Sequence, residues 1–218
     1  IDGAGKKVTR SDNCRVSDLS VSSDNLTFTY EAKSLPYPID TSYYDNEKHT
    51  QADALSVISF MDEMNYEGLS VSGLSDGYYG LTIGGEFIGR FTARELERGI
   101  NMALLQNTQQ YKQAMKIRQM NEERWLKERK MREFYWVEYN LMRKTGMLWA
   151  CDEAAVDTLR KYRPHDIFLQ WNGDLWLQYM HKGIREDCVN EQQNLVDRIY
   201  EQNKPIPLRI EIKKFTDL

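Results

Sequence analysis

The sequence predicts an α+β fold: a small antiparallel β-sandwich-like layer, long antiparallel helices, and a C-terminal strand returning to the β layer. Three observations carry it. Apolar residues alternate with polar ones at period two in several short runs before Thr92, as half-buried strands require. From Thr92 the spacing changes to that of helices. In the tail Ile206, Leu208, Ile210 and Ile212 again alternate with Pro207, Arg209, Glu211 and Lys213.

The elements follow in order. Val16, Leu19 and Val21 form the apolar side of a first strand, Ser22-Ser23-Asp24-Asn25 is turn chemistry, and Leu26 to Tyr30 alternates as the second strand. Pro36-Tyr37-Pro38 closes that hairpin. Leu55, Ile58 and Met61/Asp62 at helical spacing predict a short helix over about 53–65, with Val57 and Phe60 leaving a strand as the alternative. Leu69 and Val71, then Tyr79, Leu81 and Ile83, then Phe87 to Phe91 read as a meander. Its tight turn is Gly84-Gly85, where positive φ is needed at both positions. Thr92-Ala93-Arg94-Glu95 is a capping box, and Leu96, Ile100 and Ala103/Leu104 continue at helical spacing. A long helix runs from Asn107 or Thr108 to Lys144, stopped by Gly146. At ~1.5 Å per residue it would reach about 55 Å. Another runs from Asp152 to Tyr162 before Pro164, and a last one carries Cys188, Gln192, Leu195, Val196 and Ile199 on one face.

Composition bounds the function. The chain has 218 residues and a net charge of 29 − 33 = −4, so no basic field covers the whole surface. No apolar run approaches the ~18 residues of a membrane span, which argues against a membrane partner. Cys14, Cys151 and Cys188 are too few for a disulfide scaffold or a cysteine-based zinc site. No metal and no cofactor is expected. The one basic zone, Lys112 to Lys144, has ten Lys/Arg against five Glu, but the signs interleave. Interleaving predicts a solvated helix laced with i,i+4 pairs, not a nucleic-acid arm. The chain opens on Ile1, which reads either as loss of a preceding segment or as a piece of a longer protein.

No catalytic set assembles from the residues. Gly73-Leu74-Ser75-Asp76-Gly77 matches G-x-S-x-G, but a nucleophile elbow needs a strand-to-helix turn, and this one lies between strands. Gly173-Asp174 is followed by Leu175 where a nucleophilic serine would stand. His49, His165 and His181 lack the spacing of a zinc pair or an acid–base partner. For binding, Trp171 and Trp176 flank Asn172-Gly173-Asp174-Leu175 and offer two indoles as a sugar-stacking platform, against the plainer reading that they pack helices. Asn101, an amide among Ile100, Met102, Ala103 and Leu104, needs a partner and is the candidate for reaching a neighbouring cleft.

The segment GLSDGYYGLTIGGEFIGRFTARELERGINMALL, Gly73 to Leu105, resembles the region that follows the catalytic domain in bacterial SGNH/GDSL-type hydrolases. So do Val16-Ser17-Asp18-Leu19 through Leu35-Pro36-Tyr37-Pro38 and the closing Lys204-Pro205-Ile206-Pro207-Leu208. The likeness is strong over 66–115 and looser over 145–200. It implies a catalytic block with Gly-Asp-Ser and Asp-x-x-His-Pro lying before Ile1. The expectation is a non-catalytic C-terminal accessory region that packs on, or shapes the cleft of, an upstream catalytic domain of the same polypeptide. The upstream esterase would act on acyl or acetyl esters, those of glycans among them, and the resemblance favours a periplasmic or secreted setting. The alternatives are a carbohydrate-binding module using Trp171 and Trp176, or a helical protein-interaction scaffold. The expected organisation is a β-rich domain over 1–91, a helical arm over 92–205, and a strand over 206–218 packing on the β layer.

Overall fold

The computed structural model describes residues 1–41 and 50–215. The chain divides into two compact units, one of Ile1–Arg118 with Gln202–Leu218 and one of Gln119–Glu201.

The first unit is built on β1 (Cys14–Val21) and β2 (Asn25–Ala32), an antiparallel pair joined at the predicted Ser22–Asn25 turn. Further along come β3 (Gly68–Leu69), β4 (Tyr78–Ile83), β5 (Glu86–Thr92), β6 (Ile100–Asn101) and the closing β7 (Leu208–Lys214). The main sheet has the order β1-β2-β7-β4-β5 and is antiparallel throughout. The tail strand thus lies at the centre of the sheet, not along its edge. Ile210 pairs with Phe28 on one side and Ile83 on the other, and all three side chains are removed from water. Period-two alternation puts Leu26, Phe28, Leu81, Ile83, Ile210 and Ile212 on one face. Each such side chain contributes about 1.5–3 kcal/mol when fully buried.

The unit also holds two single helical turns, α1 (Gln51–Ala54) and α2 (Phe60–Glu63), and a short helix, α3 (Ala93–Arg98). The inner face of the sheet is covered by Leu69 of β3, Val71, and Ala93 and Leu96 of α3. This cover is the second layer of the sandwich-like arrangement. The capping box forms: Thr92 Oγ1 accepts from the Glu95 N–H (3.2 Å) while the Thr92 N–H donates to Glu95 Oε2 (2.7 Å). The Gly84-Gly85 turn has φ of +60° and +85°, as the dipeptide predicts.

Three expectations are corrected. In place of one helix over 53–65 stand the separate turns α1 and α2. Serine chemistry explains the break, since Ser56 Oγ donates to the Asp53 carbonyl (2.7 Å) and competes with helical bonding. Leu69 does not enter the meander; β3 pairs instead with β6 as a separate two-stranded ribbon. And α3 does not continue through Ile100, because Gly99 turns out of the helix with φ of +95°.

The second unit takes the rest of α4 (Gln109–Val137), a π-helical turn over Glu138–Met142, α5 (Glu153–Tyr162), α6 (Ile167–Tyr179) and most of α7 (Lys182–Gln202). Gly146 ends the long helix with φ of +77°. Asp152 caps α5 by accepting from the Ala155 N–H (3.0 Å). Within this unit Lys127 of α4 meets Glu191 of α7 (2.5 Å) and, further along α4, the Phe134 ring lies 4.9 Å from the Arg185 guanidinium, so the two helices run antiparallel. The predicted intrahelical pairs are present: Arg129 with Glu133 at 2.7 Å and Arg124 with Glu128 at 3.5 Å. Phe134, Val137, Met142, Leu159, Leu169 and Trp176 form this unit's core. No helix among the described residues is long and apolar enough to cross a membrane.

Candidate functional site

The serine of the G-x-S-x-G stretch sits on an exposed loop leading into β4, with no helix behind it. Lys214 Nζ donates to Ser75 Oγ (2.7 Å), and the Tyr79 hydroxyl lies 3.1 Å from the same oxygen while donating to the Ser75 carbonyl (2.9 Å). An amine that donates to the hydroxyl is not taking its proton, so this triangle holds the loop to β7 and β4. His165 and His181 are exposed or nearly so, and among the described residues no histidine hydrogen-bonds a serine or cysteine; His49 lies outside the described residues. The three cysteines are free thiols. Among the described residues no group of three or more His, Cys, Asp or Glu converges to hold a metal ion.

Asn101 finds its partners inside the first unit. Its Oδ1 accepts from the N–H of Glu67 (2.9 Å) and of Ala103 (3.1 Å), and its Nδ2 donates to the carbonyls of Met61 (2.9 Å) and Asn65 (3.0 Å). An amide has two donor and two acceptor places, and all four are taken. The residue clamps the 61–67 segment to β6, and nothing remains of its amide for a ligand. Beside it Tyr30 donates to Glu67 Oε1 (2.7 Å). Burial pushes the Glu67 carboxyl above the usual glutamate range, against the opposing pull of the Tyr30 hydroxyl and Gln110.

Trp171 and Trp176 both lie on α6 but face apart. Trp171 is 67% exposed and Trp176 is 0% exposed. Five residues along a helix is about 500°, or roughly 140° around the axis, so the two rings cannot share one surface. Trp176 Nε1 donates to Glu138 Oε1 (2.8 Å), and the other oxygen of that fully buried carboxylate accepts from the Trp149 N–H (2.9 Å). This bond holds Trp149 at φ of +65°, a conformation rare for a bulky residue. Gly173 and Asp174 serve the packing of α6. Arg163 forks onto both Asp174 oxygens (2.7 Å each) and lies over Gly173, where a Cβ would stand 3.1 Å from its Nε.

What Trp171 does join was not visible from sequence spacing. Phe168 and Trp171 meet edge-on at 5.5 Å, and Trp136 of α4 lies 5.2 Å from Phe168. Along α4, Arg132 lies 5.7 Å from the Trp125 ring. Together these side chains wall an open groove of about 610 Å³ within the second unit. The helical spacing of Trp125, Arg132 and Trp136 was the available signal, but α6 had to be known before a facing wall could be placed.

The amide of Asn101 and the carboxylate of Glu138 are thus engaged within their own units, and the second unit carries an exposed aromatic groove. Residues 115–204, close to the second unit, match the family model described as the diltiazem deacetylase C-terminal helical domain. A solved structure of BT4096, a gut microbial diltiazem-metabolizing enzyme, is 35% identical with a TM-score of 0.92, over 99% of this chain and 49% of that one. The chain therefore spans about half the length of the solved structure it matches. The likeness covers the β unit as well as the helices. No curated protein matches.

Proposed function

We propose that this chain is the non-catalytic C-terminal accessory part of an SGNH/GDSL-type ester hydrolase that removes acetyl groups, packing on the catalytic domain and shaping its cleft. The observation that carries the reading is the match to half of a diltiazem-metabolizing enzyme, together with the match of residues 115–204 to a deacetylase's C-terminal helical domain. The setting of Ser75 supports it: the hydroxyl is faced by a lysine and a tyrosine on an open loop, without the strand-to-helix turn that presents a hydrolase nucleophile. The resemblance of Gly73–Leu105 to the region after an SGNH catalytic domain supplies the hydrolase class. In this reading the catalytic residues belong to an upstream domain. Acetylated small molecules or glycan esters are the substrate class.

The test is the coding sequence immediately before Ile1, expressed with and without this chain. A Gly-Asp-Ser block and an Asp-x-x-His block upstream, with deacetylation that weakens when residues 1–218 are deleted, is the expected result. An upstream region without those blocks overturns the SGNH assignment. Undiminished kcat/KM in the deletion overturns the accessory role.

A further inference from the structure

We propose that the groove between α4 and the first two turns of α6 is a binding site for a neutral oligosaccharide. The inference rests on the second unit alone and does not depend on the class of any hydrolase. The groove's aromatic members are Trp125, Trp136, Phe168 and Trp171. Trp125, Phe168 and Trp171 are 42%, 49% and 67% exposed, an unusual amount of indole and phenyl surface left in water. Its other members are Arg129, Arg132, Glu133 and Asn172, so the lining holds no aliphatic side chain at all.

That composition separates the ligand classes. A groove that docks an amphipathic helix is lined by aliphatic and methionine side chains, which are missing here. A single-stranded nucleic acid would use the same ring faces but needs cations free to meet phosphate. Here Arg129 is engaged by Glu133 (2.7 Å) and Arg132 approaches Glu128 (3.6 Å), a carboxylate that Arg124 also approaches (3.5 Å), so neither groove guanidinium stands without a carboxylate of the protein itself. What remains is stacking surface beside hydrogen-bonding groups of both kinds: guanidinium donors, a carboxylate acceptor and an amide that does both. A pyranose ring is complementary to this set. Its C–H face lies on the electron-rich face of an indole, and its hydroxyls both donate and accept.

The dimensions agree. Trp125 and Trp136 are eleven residues apart on one helix, about 16 Å at ~1.5 Å per residue, which is the length of a short run of sugar rings rather than of a single one. The volume of about 610 Å³ is within the usual span of small-ligand sites. The sugar platform is thus Trp171 with Trp125 and Trp136, and Trp176 has no part in it.

The experiment is isothermal titration of the 218-residue chain with cellohexaose, xylohexaose, mannohexaose and chitohexaose, beside decaproline and an oligothymidylate. The same titrations are run on Trp171→Ala and Trp125→Ala, whose exposed positions leave the core intact, with thermal melts as the check on folding. The expected result is binding of at least one of the four oligosaccharides, weakened about tenfold or more in each folded variant. No heat with any of the four, or affinity unchanged in both variants, overturns the proposal. So does binding of decaproline or oligothymidylate with none of a sugar.

Discussion

The buried pair of Trp176 and Glu138 gives the sharpest prediction about what holds the helical unit together. Replacing Trp176 by Phe removes the N–H that reaches Glu138 Oε1 at 2.8 Å, in a place where neither residue touches solvent. Two costs follow. The smaller ring leaves a void of roughly 40 Å³, worth about 1 kcal/mol at ~24 cal/mol per Å³. The carboxylate oxygen loses its partner without gaining water, worth about 1–3 kcal/mol. Trp176→Phe should therefore cost about 2–4 kcal/mol, a large share of a typical domain's stability of about 5–15 kcal/mol. Trp171→Phe makes the same chemical change at a 67% exposed position and should stay within about 0.5 kcal/mol. The assay is urea unfolding of the full chain followed by far-UV ellipticity, which reads the helices. Adding Glu138→Gln in the Trp176→Phe background should cost less than adding it to the wild type, since one of the carboxylate's two bonds is already lost. Equal costs for the two tryptophan substitutions, or a Trp176→Phe cost below about 1 kcal/mol, would refute the reasoning.

Two further outcomes are expected. Asn101→Ala removes four hydrogen bonds that tie residues 61–67 to β6 and its following turn and should cost about 2–3 kcal/mol, with the earliest loss of amide protection at Glu67 and Ala103 in hydrogen exchange. Glu67 gives a pH dependence of definite sign. Its folded carboxyl is raised above the ordinary value, so the folded state keeps a proton that the unfolded chain has released. The resulting stability is fully present below the unfolded glutamate value and falls as pH rises through the folded one. Glu67→Gln should flatten that fall, measured as urea midpoints between about pH 4 and pH 8; a wild type and variant of equal slope would remove Glu67 as its origin.

The sequence was most legible where local chemistry decides alone. Gly84-Gly85 must take positive φ in a two-residue turn, and Thr92 with Glu95 must cap whatever helix follows, so both could be read without knowing their surroundings. The amphipathic tail announced a strand with one buried face, but not that it would separate β2 from β4, because pairing order depends on partners distant in sequence. α6 stayed hidden for a physical reason: Asn172-Gly173-Asp174 has turn composition, and a helical glycine costs about 1 kcal/mol relative to alanine. The cost is offset by Arg163, which fills the place of the missing Cβ and grips Asp174. Without α6, neither the burial of Trp176 nor the groove at Trp171 could be derived. Asn101 reads from sequence as an amide in need of partners, yet those partners are the backbone of residues 61–67, brought near by a ribbon that only the fold reveals.

The most direct measurement of the central claim is acetate release from diltiazem and p-nitrophenyl acetate by this chain alone, set beside its Ser75→Ala variant. An accessory part should give the two proteins the same rate as buffer, with melting curves showing both folded. Turnover that disappears with Ser75→Ala would place a working nucleophile in the loop beside Lys214 and contradict the account.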